Sequence, residues 1–168
     1  MRTLFICLAL GSAALLAACG KAEPEPTQQA EPPRPRHLIQ DRFKIYESEL
    51  DHSGTLSQLL EALDRRDLTI FALIDHQAGA VSVDMELPPM TLVIFGSPQT
   101  GTPLMAAEPL LGVELPIRAL IYEEDGQTKL AMTGIGFLGR EYGLSEQRPL
   151  LKRIGDVLEV LAQEATRA

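Results

Sequence analysis

The chain opens on a segment laid out for export rather than for a core. Met1-Arg2 gives a positive start, Leu4 to Leu16 is a continuous run of apolar and small residues, and Leu16-Ala17-Ala18-Cys19 closes it. This is the order of a secretory signal peptide, with small residues at the cleavage site. A membrane-spanning helix needs about 20 apolar residues, and the run from Leu4 to Ala18 is shorter, with no basic cluster behind it. The next stretch is equally unsuited to a core. Lys21 to Arg36 reads Lys-Ala-Glu-Pro-Glu-Pro-Thr-Gln-Gln-Ala-Glu-Pro-Pro-Arg-Pro-Arg. Proline fixes backbone angles and removes donors, and almost nothing apolar is there to bury. Residues 19–37 are expected to form an extended tether, of which Lys21 to Arg36 reaches roughly 50 Å at about 3.1 Å per residue. A core must therefore come from residues 38–168.

With cysteine as its last member, the Leu-Ala-Ala-Cys tetrad resembles a bacterial lipoprotein signal. The resemblance implies that residues 1–18 are cleaved and that Cys19 becomes the first mature residue, carrying acyl chains such as palmitate. One chain holds a protein only marginally, whereas several hold it stably, and the resemblance implies three. Gly20, where aspartate would signal inner-membrane retention, fits the periplasmic face of the outer membrane. The membrane is thus one expected partner, reached through Cys19.

Removing Arg2 with the signal takes the formal net charge from -8 to -9. An acidic surface argues against nucleic acid, which demands clustered Lys and Arg, and against peripheral docking on anionic head groups. The cysteines are Cys7 and Cys19 alone, so the folding part has no disulfide framework and no thiolate nucleophile or metal ligand. It must stand on its apolar content, which at 45% of the chain is adequate for one domain.

Arg42 to Leu50 alternates as a first strand, with Phe43, Ile45 and Tyr46 as core contributors. Thr55-Leu-Ser-Gln58 reads as a capping box, and Leu56, Leu59, Leu60 and Leu63 then share a helix face. Leu68 to Ile74 is nearly all apolar and branched, which suits a central strand, and Thr91 to Phe95 is a second such run. Ile117 to Glu123 and Lys129 to Thr133 flank Asp125-Gly126, a hairpin turn signal. A final amphipathic helix is predicted from about Ser145 to Ala165, with Leu150, Leu151, Ile154, Val157, Leu158 and Leu161 inward. This order predicts a two-layer α+β domain, a largely antiparallel sheet with helices on one face.

Ile74-Asp75-His76 closes the second strand, and His76 is the only histidine inside the apparent core region, since His37 lies in the tether and His52 in a loop. A histidine beside an aspartate can serve as a base or a ligand. It can equally be a packed histidine, with Asp75 capping the next turn of chain. No second histidine or cysteine has zinc spacing. Met85, Met90, Met105 and Met132 could join His76 around copper(I), although methionines at apolar positions usually fill gaps. Phe95-Gly96-Ser97-Pro98-Gln99-Thr100-Gly101-Thr102-Pro103-Leu104-Met105 is the most distinctive stretch. Thr102 fits an N-cap with Pro103 at the first helical position and a short helix to Glu108, a place where backbone amides can hold an anion. Leu115-Pro116 precedes the next strand.

Ile74-Asp75-His76, Ala78-Gly79-Ala80, Phe95-Gly96-Ser97-Pro98 with Gly101-Thr102-Pro103-Leu104-Met105, and Leu115-Pro116 resemble, in order and spacing, the family of domain of unknown function 302 from about Tyr46 to Leu144. The resemblance implies a compact α+β domain with an antiparallel sheet backed by helices, and it allows a homodimer. It implies no activity and names no cofactor. Here Ser97 stands where the family usually has asparagine and Glu114 where it has aspartate. Met132-Thr133-Gly134-Ile135 and Glu141-Tyr142 replace its Tyr-Asn-Asp-Pro and Arg-His.

The residues support three functional readings. The first is an envelope lipoprotein whose surface around Asp75, His76, Ser97, Thr102 and Glu114 binds a small ligand or partner without catalysis. The second is a metal- or His-dependent enzyme or redox accessory centred on His76. The third is a scaffold whose acidic domain docks other envelope proteins. The first is preferred, because no nucleophile–base pair is readable in the sequence.

Overall fold

The computed structural model describes residues 42–168. The signal, Cys19 and the tether lie outside the described residues. Five strands, β1 (Phe43–Glu47), β2 (Thr69–Asp75), β3 (Met90–Gly96), β4 (Ile117–Glu124) and β5 (Gln127–Thr133), form one sheet in the order β1-β5-β4-β3-β2. Every neighbouring pair is antiparallel. Six helices are interspersed: α1 (His52–Asp64), α2 (His76–Val81), α3 (Pro98–Ala107), α4 (Leu111–Glu114), α5 (Ile135–Glu141) and α6 (Arg148–Thr166). This is the expected α+β architecture.

The alternation of the inner strands decides the layers. Val93 and Phe95 of β3, Ile117, Ala119 and Ile121 of β4, and Leu130 and Met132 of β5 point to one face and are buried there. Leu59, Ala62 and Leu63 of α1 and Leu158, Leu161, Ala162 and Ala165 of α6 join them in a single core. Full burial of a leucine contributes about 1.5–3 kcal/mol, so the two long helices hold the sheet by a few such residues each. The opposite face carries a row across all five strands, Ile45, Ala131, Leu120, Leu92 and Ile74, at paired positions. That row is half-buried in the middle and exposed at both ends.

Several local expectations are corrected. The first strand is shorter than Arg42 to Leu50, and Ile45 lies on the open face, 45% exposed. Helix α1 begins three residues before the proposed capping box. Asp51 is its N-cap, accepting from Gly54 N at 2.7 Å, while Thr55 is buried within the first turns, its hydroxyl 2.7 Å from Ser48 Oγ and donating to Asp51 O. His52 is thereby the first helical residue rather than part of a loop. Leu68 to Ile74 does not supply a central strand. β2 is an edge, and Ile70, Phe71, Leu73 and Ile74 are each at least 39% exposed. A bulge between Ile70 and Ala72 interrupts its pairing with β3.

The hairpin forms as read, with Asp125 and Gly126 both at positive φ (55° and 76°), the conformation a two-residue type I′ turn needs. The terminal helix starts at Arg148, three residues later than expected, and leaves Val157 40% exposed.

Candidate functional site

The turn from β3 into α3 builds one wall of an apolar concavity. α3 starts at Pro98, four residues before the expected Thr102 cap, because Ser97 O accepts from Thr100 N and Gly101 N and closes a helical turn there. Pro103 then lies inside the helix and cannot donate to the Gln99 carbonyl, on an exposed residue where water can replace it. Ser97 Oγ donates to Gln99 Oε1 at 3.1 Å and Thr100 Oγ1 to Ser97 O at 3.1 Å. The hydroxyls thus bind the turn to itself rather than capping the helix.

Behind this turn lies a cavity of about 280 Å³. Leu104 and Met105 of α3, Leu138 of α5, and Leu151 and Ile154 of α6 form its apolar wall, with Phe71 contributed by the bulge of β2. Ser97, Thr100 and Thr102 bring its hydroxyls, and no charged side chain lines it. Pro116, after a cis peptide bond, and Ile117 close the β4 side. A smaller space of about 190 Å³ adjoins it, sharing Gly96, Ser97, Thr100, Ile117 and Ile154. Both are lined by residues of α6, Leu151 and Ile154 in the first and Leu150, Ile154 and Leu158 in the second.

The five expected ligand-binding residues do not share one surface. Ser97 and Thr102 line the cavity. Asp75 and His76 stand at the far end of the sheet, since Asp75 pairs with Thr91 while Gly96 pairs with Thr69. Asp75 Oδ1 accepts from Ala78 N at 2.9 Å and caps α2. His76 is exposed, not set in the core.

Glu114, 8% exposed, is committed elsewhere. Its carboxylate receives both contacts of Arg42 Nη2, at 2.9 and 3.2 Å, and the Tyr142 hydroxyl at 3.3 Å. Arg42 is also stacked over the Phe43 and Phe137 rings, 5.7 and 5.3 Å from their centroids. Desolvation first, and then the neighbouring Glu114 carboxylate, push the Tyr142 hydroxyl above the ordinary tyrosine range. This cluster ties the start of β1 to α4 and to the end of α5.

Nor do Met85, Met105 and Met132 converge on one site, and Met90 alone lies beside His76 in register, one step past the Asp75–Thr91 pair. Met132 is in the core, Met105 lines the cavity and Met85 is 64% exposed. Among the described residues, no group of three or more His, Cys, Asp or Glu side chains is placed to hold a metal ion. His52 Nε2 is enclosed with no hydrogen-bond partner among these residues. Sequence reasoning read Leu104, Leu138 and Leu151 as ordinary core, or passed over them. The one signal that marked the site was Gly96 to Met105, and it marked the turn rather than the space behind it.

The model of the family described as domain of unknown function DUF302 matches residues 44–161, most of the chain. The chain belongs to the DUF302 family. A solved DUF302 protein, titled an uncharacterized conserved protein from Bacillus stearothermophilus, superposes with a TM-score of 0.67 at 17% identity. The match covers 73% of this chain and 97% of that one, a likeness of fold. In sequence, the DUF302 chain is 36% identical over 96 residues to proteins named "Fluoride-specific ion channel FluC 1" in Brucella suis biovar 1 (strain 1330) and "Fluoride-specific ion channel FluC 2" in Brucella melitensis biotype 1. These matches cover 57% of this chain and only 37% and 35% of the relatives, so the chain spans about a third of their length. No helix among its own described residues is long and apolar enough to cross a membrane.

Proposed function

We propose that this DUF302 protein is an envelope lipoprotein, held by acyl chains on Cys19 at the periplasmic face of the outer membrane, whose domain binds a small, neutral, largely apolar molecule without turning it over. The cavity behind the β3–α3 turn carries the reading: it is concave, apolar and lined with hydroxyls but no charge, the composition of a small-molecule site. The fluoride-channel name belongs to whole proteins of which this domain resembles a third. A bare halide moved into an uncharged cavity would lose its hydration with little to replace it, so the cavity suits a neutral ligand better.

Gly101 provides the test. A Cβ there would stand 3.8 Å from Met105 Cε and 4.0 Å from Leu115 Cδ1, so Gly101→Leu fills the cavity without a clash at its first atom. Replacing a helical glycine also favours the helix by about 0.8 kcal/mol. The neutral fluorophore N-phenyl-1-naphthylamine should bind the native chain saturably, and Gly101→Leu at least tenfold more weakly with no lower melting temperature. Equal enhancement in both proteins, or none in either, would sink the proposal.

A further inference from the structure

A groove of about 770 Å³, larger than the apolar cavity, shares Leu144 and Leu151 with it as lining. Its character is opposite. Lys44, Arg140, Arg148 and Lys152 line it against two acids, Asp156 and Glu159. Those two acids are spoken for, Asp156 by Lys152 at 2.7 Å and Glu159 by Lys44 at 3.1 Å. Arg140 and Arg148 make no ion pair among the described residues. In a chain with 23 acidic and 15 basic side chains, this groove keeps two arginines without an acidic partner on one surface.

Glycines supply much of the remaining lining, and they differ in what demands them. Gly143 is held at φ +63°, and a Cβ on Gly139 would strike Leu151 Cδ1 at 2.9 Å. Gly155 has neither reason. It lies inside α6, and a Cβ there would meet nothing within 4 Å. A glycine inside a helix costs stability relative to alanine, and neither backbone strain nor packing requires one here. Its effect is to keep the groove open beside the arginines.

We infer that this groove is a second binding site, which takes a small molecule through a phosphate group held by Arg140 and Arg148. Guanidinium groups present planar pairs of donors that match such oxygens. The volume admits more than the bare ion. The inference stands apart from the apolar cavity, and either can fail alone.

The experiment is an NMR titration of the full chain, in detergent and at fixed ionic strength, with inorganic phosphate and with glycerol 3-phosphate. The amides of Gly136, Gly139 and Gly155 should shift saturably. Binding should weaken at least tenfold in Arg140→Ala/Arg148→Ala. Gly155→Leu should weaken it as much while melting no lower than the native chain, which separates a filled groove from an unfolded one. A parallel arm measures sedimentation with phosphatidylglycerol vesicles against phosphatidylcholine. Arginine-dependent binding to the soluble esters assigns a free ligand, and arginine-dependent binding to the anionic vesicles alone assigns a lipid headgroup. Saturation by neither, or shifts unchanged in the double arginine variant, would overturn the inference.

Discussion

Glu164 shows how single side chains join the two long helices. It sits on α6 and accepts from Arg65 Nη2 at 2.8 Å and from Arg66 at 2.6 and 2.9 Å, both just past the end of α1. Hydrogen bonds from Arg66 and then Arg65 lower its carboxyl from 4.5 to about 2. A carboxyl depressed in the folded state contributes stability above its unfolded pKa, and that contribution is lost as pH falls through the folded value. The native chain should therefore melt above Glu164→Gln near neutrality. The gap should close between pH 4.5 and about 2, as followed by calorimetry across that range. A constant gap would show that the glutamine variant loses something other than charge. Tyr46 and Lys44 hold Glu159 in a similar way, at 2.8 and 3.1 Å, and lower its carboxyl too.

Among the elements, β2 departs most from what its residues suggest. Its run from Leu68 to Ile74 is apolar on both sides, the composition of a strand flanked by partners, yet only β3 pairs with it. β2 comes directly after α1 and returns through α2 to β3, and no other strand lies on its far side. Unprotected edges commonly carry lysine, proline or a bulge; here only the bulge is present. Leu73, 52% exposed, is therefore a place where lysine should change stability by no more than about 0.5 kcal/mol. Sedimentation velocity over a concentration series should show less self-association in Leu73→Lys than in the native chain. An identical concentration dependence would mean that this edge is not sticky. α3 makes the complementary point. Thr102-Pro103 carries a good start signal, but the Ser97 carbonyl closes a turn earlier, and the helix runs through the proline.

At the scale of the whole molecule, the reading as a lipoprotein makes location a matter of one atom, the Cys19 sulfur. Radiolabelled palmitate should be incorporated into the native chain and lost in Cys19→Ser, with the variant recovered in the soluble periplasmic fraction. Labelling that persists in the variant would remove the anchor from the proposal.

What the sequence determined by itself was whatever depends on neighbours along the chain. Asp125-Gly126 specified the hairpin because only residues tolerant of positive φ fit it, and the leucines of α1 and α6 specified helices that bury one face. Alternation in β3, β4 and β5 specified which layer each residue joins. Only the tertiary structure decided that the inward residues near the β3–α3 turn leave a cavity, since an apolar pattern reads the same whether its volume is filled or empty. It alone separated Asp75 and His76 from Ser97 and Thr102, because antiparallel pairing puts the end of β2 beside the start of β3, at the opposite end of the sheet from Gly96. It also gave Glu114 to Arg42, 72 residues away, a pairing set by the meeting of β1 and α4 and written in no local motif.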